Sequence, residues 1–336
     1  MSLPIFYAYN SIENSYNTKN IKYIQENISS SDEWIATEKI HGSNCSFIID
    51  NELNISKASR NLLLNGSATM HSLHLIQDKY KENIINLRKL LLTKNIITDK
   101  SIVHIFGEHF GGYYPGMKNK HSAIQKGVIY SPEHEFLIFD ILIREYILTT
   151  PTYLDYQLVV NLCKEVNLPY VPILAKGTLE ELLKLNPLFE STIPNLLNYP
   201  QPSSNNFAEG YVLKPNRNIW LKCGSRVILK LKNPSFLERT KKIDTSKEQK
   251  GKVVSIYDDN IKTLVNKNRY DNIVSKDGNL SHPKTLIPIM IKDVYEDYKK
   301  EYINEADIAD PIDEKLLKTS IARIVADFIT SINKNL

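Results

Sequence analysis

The stretch Thr37-Glu38-Lys39-Ile40-His41-Gly42-Ser43-Asn44-Cys45-Ser46-Phe47 decides how the rest of the chain is read. Lys39 closes a short apolar run, Trp34 to Ala36, and a β-like segment, Ser46 to Asp50, follows. His41, Gly42 and Asn44 stand between the two at fixed offsets. A lone lysine is ordinarily a solvated surface residue. Here the amine has polar neighbours, and Gly42 lets the backbone turn tightly and approach a ligand. Lysine serves as a covalent nucleophile when its surroundings disfavour its extra proton. The stretch reads as strand, turn and strand, with Lys39 as a candidate nucleophile toward a phosphate.

The 336 residues suffice for one large or two ordinary domains. Hydrophobic residues at 42% and charged residues at 24% are those of a globular protein. The net charge of +4 is too small to announce nucleic acid, so any basic surface is local. Cys45, Cys163 and Cys223 are far apart and lack metal-ligand spacing. That argues against a disulfide scaffold or a zinc site and fits a reducing, cytoplasmic compartment. No signal peptide and no membrane-length apolar run is recognised. Abundant Asn, Ile and Lys fit an AT-rich coding genome, a viral one among the options.

Working outward, Tyr7 to Tyr23 reads as a leading loop and short helix, with Tyr9 more naturally buried than ligand-facing. Trp34 to Lys39, Cys45 to Ile49 and Glu52 to Ser59 read as strands. Arg60, at the end of the last, suits phosphate or 3′-end binding, although a surface arginine is the plainer reading. Leu73 to Leu92 has helical spacing. His71 and His74 at its start suit a capping or surface role better than a zinc site. Ser101 to Gly107 predicts a buried strand delivering Glu108 to the glycine-rich His109 to Gly116. Gly127 to Tyr130 and Glu135 to Ile143 predict a strand pair. Phe139 in the second could stack on a base, though a core ring is the commoner role.

Thr152 to Val166 and Leu179 to Leu185 predict helices. Tyr199 to Asn206 is a loop, and Glu209 to Pro215 a strand with a carboxylate at its start and Lys214 near its end. Trp220 to Lys222 and Arg226 to Lys232 predict two more strands. In the last, period two places Lys230 and Lys232 on one face and Leu229 and Leu231 on the other. Two cations on one face of a central strand imply an anion. Pro234 to Lys252 is strongly basic, and residues 241–252 are assigned as a linker that is either solvated or in contact with backbone phosphate. Pro283 to Tyr302 and Asp313 to Ile332 carry helical periodicity. Lys276-Asp277-Gly278 lacks the residue between lysine and aspartate and reads as a turn.

Lys39-Ile40-His41-Gly42-Ser43-Asn44, Arg60, Phe106-Gly107-Glu108, Phe139-Asp140, Glu209 to Pro215, and Lys230 with Lys232 occur in one order. That series resembles the nucleotidyltransferase motifs of the RNA ligase 2 family, which includes phage nick-sealing and kinetoplastid RNA-editing ligases. Ile124 to Val128 resembles a segment whose glutamine, here Gln125, contacts RNA or the nucleotide phosphates. Asn272 to Lys276 resembles the helical tail of the phage members. The likeness covers nearly the whole chain. Thr37 and Ser59 depart from the basic residues of some members, and the Phe110 to Ser122 loop is longer than in the phage enzyme. Substrate preference is what these departures touch.

The resemblance implies an α+β fold: residues 1–240 form an ATP-grasp-like nucleotidyltransferase domain of antiparallel sheets with flanking helices, and residues 253–336 a small all-helical domain. It implies an ATP-dependent RNA ligase, with Mg²⁺ or Mn²⁺, that joins 3′-hydroxyl and 5′-phosphate ends. A nicked duplex is the expected partner of a monomeric, membrane-free enzyme. Lys39 would attack ATP to form lysyl-AMP, with His41 and Asn44 aligning the triphosphate. Arg60, Lys230 and Lys232 would stabilise phosphate charge and disfavour a further positive charge at the nucleophile. Glu38, Ile40, Glu108, Phe139 and Lys214 complete the nucleotide site, Glu108 on the ribose and Phe139 on adenine. Glu209 is the candidate metal ligand, and Gln125 and Arg226 are candidate RNA contacts. His41, where DNA ligases commonly carry aspartate, and a helical rather than β-rich tail favour RNA over DNA. A broad DNA/RNA nick ligase, a guanylyltransferase and a catalytically silent ATP sensor that binds nucleic acid remain as alternatives.

Overall fold

The computed structural model describes residues 6–30, 32–64, 70–119, 121–145, 151–202, 205–222, 224–237, 255–276, 283–303 and 313–334. The chain divides into two compact units, Met1–Ser235 and Phe236–Leu336. Residues 241–252, assigned above as a linker, and Cys223 lie outside the described residues.

Unit 1 begins with β1 (Glu13–Asn14), α1 (Thr18–Asn27), β2 (Trp34–Glu38), β3 (Ser43–Ile49), β4 (Ile55–Ser59) and β5 (Leu63–Leu64). Next come α2 (Leu73–Thr93), β6 (Ile102–Gly111), β7 (His134–Arg144), β8 (Thr152–Tyr153) and α3 (Tyr156–Glu165). It ends with β9 (Ile173–Gly177), α4 (Leu179–Leu182), α5 (Ile193–Leu196), β10 (Gly210–Pro215) and β11 (Leu229–Lys232). Among the described residues these strands form two sheets, ordered β1-β11-β10-β2-β9 and β5-β4-β3-β6-β7-β8. Pairing is antiparallel throughout except β1 with β11.

Strand alternation explains how the sheets are covered. In the six-stranded sheet Cys45, Phe47, Ile49, Val103 and Ile105 point one way, onto Ile76, Ile84 and Leu87 of α2 and Val159 and Leu162 of α3. In the five-stranded sheet Trp34, Ala36, Leu213 and Leu229 pack on Ile24 of α1 and on Leu179 and Leu182 of α4. Each fully buried aliphatic or aromatic side chain contributes about 1.5–3 kcal/mol. The opposite faces of the two sheets meet at a smaller cluster of Tyr9, Phe106, Leu142, Tyr153 and Ile228.

One irregularity breaks the alternation. Phe106 pairs with Asp140 and Gly107 with Ile138, which leaves Phe139 as an extra, unpaired residue in β7. Before this bulge Phe136 and Ile138 face the α2/α3 core; after it Ile141 and Ile143 do. The change of phase sends two consecutive side chains, Phe139 and Asp140, to the side away from that core.

Unit 2 holds α6 (Asp258–Leu264), α7 (Lys267–Lys276), α8 (Pro283–Tyr302) and α9 (Glu314–Lys334). Its own core includes Ile261, Leu264, Leu286, Met290, Val294, Leu317, Ile321 and Val325. Buried Arg269 of α7 binds Asp293 and Asp297 of α8 and donates to the Leu264 carbonyl. No strand occurs in this unit among the described residues.

Some expected elements shift. Residues 127–130 form no strand, and Trp220 makes only a single bridge to Arg226. The helix expected from Thr152 begins at Tyr156, because Thr152 and Tyr153 pair with β7 as an edge strand. β9 was not expected; its alternation is hidden by a bulge opposite Ala36 and Thr37.

Candidate active site

Three strand ends converge at Lys39. Lys39 follows β2, Glu209 precedes β10, and Lys232 ends β11. Tyr211 pairs with Glu38 and Gly210 with Lys232. The Lys39 N–H donates to the Gly210 carbonyl at 2.8 Å, which extends the ladder to Lys39 itself. Gly210 is required: its φ is +135°, and a Cβ there would lie 2.1 Å from the Leu231 carbonyl oxygen.

Glu209 is the electrostatic hub. Its Oε2 lies 2.8 Å from Lys39 Nζ and 3.2 Å from His41 Nδ1, and its Oε1 lies 2.9 Å from Lys232 Nζ. Burial alone would push its carboxyl up, but Lys232, Lys39 and His41 together hold it well below the usual carboxylate range. The nearest charge to the Lys39 amine is therefore this carboxylate and not, as the sequence suggests, a group of cations. The His41 backbone N–H donates to the buried Tyr130 hydroxyl at 2.8 Å, which clamps the turn after the lysine.

Beside this hub lies a partly open pocket. Glu38, Lys39, Ile40, Asn44, Glu108, Phe139 and Lys214 line it, so most of the nucleotide-site residues inferred from the sequence come together. Tyr9, Ile12, Val171 and Val212 complete the apolar walls. Asn44 and Glu108 are cross-strand partners on one face of β3 and β6. Lys230 lies opposite Val212 on β11, on the pocket side, while Leu229 and Leu231 face the α1/α4 core; period two placed these four correctly. Glu38 is held by Ser191 Oγ at 2.6 Å and by Thr192 N and Oγ1 at 2.8 Å each. Burial raises its carboxyl, and these hydrogen bonds oppose the rise.

A buried charge network supports the pocket from below. Asp140 accepts from Lys214 Nζ at 2.9 Å and from Arg226 Nη1 and Nη2 at 2.8 and 3.1 Å, and it also takes the Tyr9 hydroxyl. Burial raises the Asp140 carboxyl, but Arg226 and Lys214 outweigh it and bring it down to about 2. Burial, helped by Arg226 and opposed by Asp140, lowers the Lys214 amine to about 8. Lys214 also donates to the Phe139 carbonyl at 2.8 Å, which ties the bulge to β10.

Several expectations need correction. Arg226, offered as an RNA contact, is only 5% exposed and is consumed by Asp140 and by the face of the Tyr153 ring, so its role is internal. Arg60 is half-buried and does not line the pocket, and Gln125 is half-buried in the segment between β6 and β7. Gly42 is needed for close packing rather than for a ligand: a Cβ would meet the His109 carbonyl at 2.4 Å. His71 is neither a cap nor a surface residue, since it packs against His109 and His134. Tyr130, Ser191 and Thr192 carried no signal that could be read in one sequence, because their contacts join positions 89 to 154 residues apart.

An amine, a buried carboxylate and further lysines at the edge of a pocket are the parts that a nucleotidyltransferase requires. The RNA ligase family model matches residues 32–232, and the chain belongs to the RNA ligase family. It is similar to mitochondrial RNA-editing ligase 2 of Trypanosoma brucei brucei, with 28% identity over 88% of this chain and 84% of the relative. Mitochondrial RNA-editing ligase 1 of the same organism is 26% identical over 86% of this chain and 73% of its own. A mutant Naegleria gruberi RNA ligase with ATP and Mn aligns at a TM-score of 0.45 and 20% identity. That alignment covers 70% of this chain and 59% of the Naegleria chain.

Proposed function

We propose that this RNA ligase uses ATP to join a 3′-hydroxyl to a 5′-phosphate, preferentially at nicks in duplex RNA. The observation that carries the reading is the Lys39 amine at the pocket edge, 2.8 Å from a buried carboxylate that also holds Lys232. Attack requires an amine released from Glu209 and stripped of its proton. The freed lone pair bonds to the α-phosphorus, pyrophosphate leaves, and Lys39 carries AMP as a phosphoramidate. A terminal 5′-phosphate oxygen then takes the AMP from Lys39. A 3′-hydroxyl oxygen attacks that 5′-phosphorus, and AMP leaves with its own phosphate.

Lys230 and Lys232 supply positive charge where the phosphates gain negative charge, the usual requirement of phosphoryl transfer. Phe139 offers a ring for the adenine and Glu108 an acceptor for a ribose hydroxyl. Among the described residues no group of three or more His, Cys, Asp or Glu is placed to hold an ion. Glu209 is the hard protein oxygen that would hold Mg²⁺ or Mn²⁺ carried mainly by phosphate oxygens and water. A divalent ion so bound would neutralise phosphate charge. Two buried cysteines without a disulfide, Cys45 and Cys163, accord with a reducing compartment, and we read the working form as a monomer.

Radiolabelled ATP and Mg²⁺ should label the wild-type protein covalently and leave Lys39→Ala unlabelled. Labelling that survives Lys39→Ala overturns the mechanism. Two nicked duplexes, one with a ribonucleotide and one with a deoxynucleotide at the 3′-hydroxyl, then test substrate class. Equal sealing of both would replace the RNA-specific reading with a broad nick ligase.

A further inference from the structure

The excursion from Gly112 to Ser131 joins β6 to β7. Its backbone closes on itself: Gly112 donates to the Ser131 and Glu133 carbonyls, and Ile124 to the Gly111 carbonyl at 3.0 Å. Gly111 and Gly112 both have positive φ, and a Cβ on Gly112 would clash with the Ser122 carbonyl at 2.5 Å. The underside is pinned as well. Tyr114 is buried, packs on Tyr199, donates its N–H to Asn119 Oδ1, and donates its hydroxyl to the Pro200 carbonyl. Asn206 bonds both the N–H and the carbonyl of Ile129.

The same loop therefore meets the catalytic hub at two places. Tyr130 clamps the His41 backbone, two residues past the nucleophile, and the Tyr199 to Asn206 segment leads directly to Glu209. Its outer side is different in kind. Tyr113 is 50% exposed and Met117 is 37% exposed, and Lys118 and Lys126 of the same loop are exposed. From His109 to Pro132 the sequence has three lysines, Lys118, Lys120 and Lys126, and no Asp or Glu. A rigid loop that holds an aromatic ring in solvent among cations and without acidic residues has the two elements of single-strand recognition: a stacking platform and a phosphate track.

We propose that this loop is an RNA-docking surface, with Tyr113 stacking on an unpaired or end base of the RNA and Lys118 and Lys126 on its backbone phosphates. The inference rests on the RNA-ligase reading above and assigns it a substrate contact outside the nucleotide pocket. Tyr113 is a specificity residue here and takes no part in adenylate chemistry.

The test compares wild type with Tyr113→Ala, Tyr113→Phe and the pair Lys118→Ser/Lys126→Ser. Covalent labelling by ATP without RNA, and the KM for RNA in sealing at several salt concentrations, are measured for each. All should label as wild type does. Tyr113→Ala should raise the RNA KM about tenfold, and Tyr113→Phe should restore it. The lysine pair should flatten the dependence of log KM on log salt by roughly 0.7 per lysine removed. An unchanged KM and salt slope in a wild type that seals RNA would overturn the docking surface alone. Loss of labelling in these variants would also overturn it, by making the loop a support for the pocket. A wild type that labels but seals no RNA would overturn the function reading itself.

Discussion

Asp140→Asn is the sharpest test of how the pocket is supported. Asp140 is fully buried and faces two buried cations, Lys214 and Arg226. Its carboxyl lies at about 2 in the folded protein against an ordinary 3.8. At about 1.4 kcal/mol per pH unit, that gap represents about 2–3 kcal/mol of stability at neutral pH. Asparagine also leaves the two cations facing each other without a counter-charge, and breaking a buried pair from one side costs about 3–5 kcal/mol. The expected loss is therefore about 3–5 kcal/mol. Urea unfolding followed by fluorescence reads it well, because both tryptophans, Trp34 and Trp220, lie in unit 1. The sign with pH is fixed. The folded value is depressed, so the contribution is complete above about pH 4 and disappears as the pH falls through about 2. Adding Arg226→Met to Asp140→Asn should recover part of the loss, since two contacting residues couple. A loss below about 1 kcal/mol at pH 7, or no recovery in the double variant, would show that the network does not support the site as argued.

Three other outcomes follow from the same geometry. Gly210→Ala should abolish labelling and destabilise by more than about 1–3 kcal/mol, because alanine at this backbone angle is strained and also collides with β11; normal activity in a purified Gly210→Ala protein would refute it. Phe139→Ala should weaken ATP binding about tenfold, in line with a stacked ring worth about 0.5–1.5 kcal/mol beyond its burial, and a competition assay against AMP measures it. Burial, reinforced by His134, His71 and His121, holds His109 well below the ordinary imidazole range. A depressed histidine leaves stability untouched above its unfolded value and removes it as the pH falls below about 6.5. His109→Phe should therefore flatten the decline in melting temperature from about pH 6.5 to 5, and an unaltered decline would discard the histidine cluster as its source.

The pocket residues were legible through the resemblance that the ordered motif series carries, and local alternation by itself placed only the faces of single strands. Period two correctly placed Lys230, Lys232, Leu229 and Leu231. What stayed hidden depends on long-range pairing. Whether Arg226 meets RNA or Asp140 is decided by a strand 86 residues away. The carboxylate at the Lys39 amine comes from 170 residues downstream. Thr152 and Tyr153 read as helix by spacing and are strand by pairing, since a sheet edge overrides local propensity.

The bulge in β7 has a consequence for how this enzyme can vary. Phe139 and Asp140 share the pocket side only because the strand carries one residue more than its partner. Loss of either Phe139 or Asp140 would restore strict alternation and leave both hydrophobic flanks on the face they now occupy. Such a chain could retain the Phe139 ring or the Asp140 counter-ion, not both. The extra residue of β7 is therefore a length that the strand cannot lose without giving up one of these two side chains.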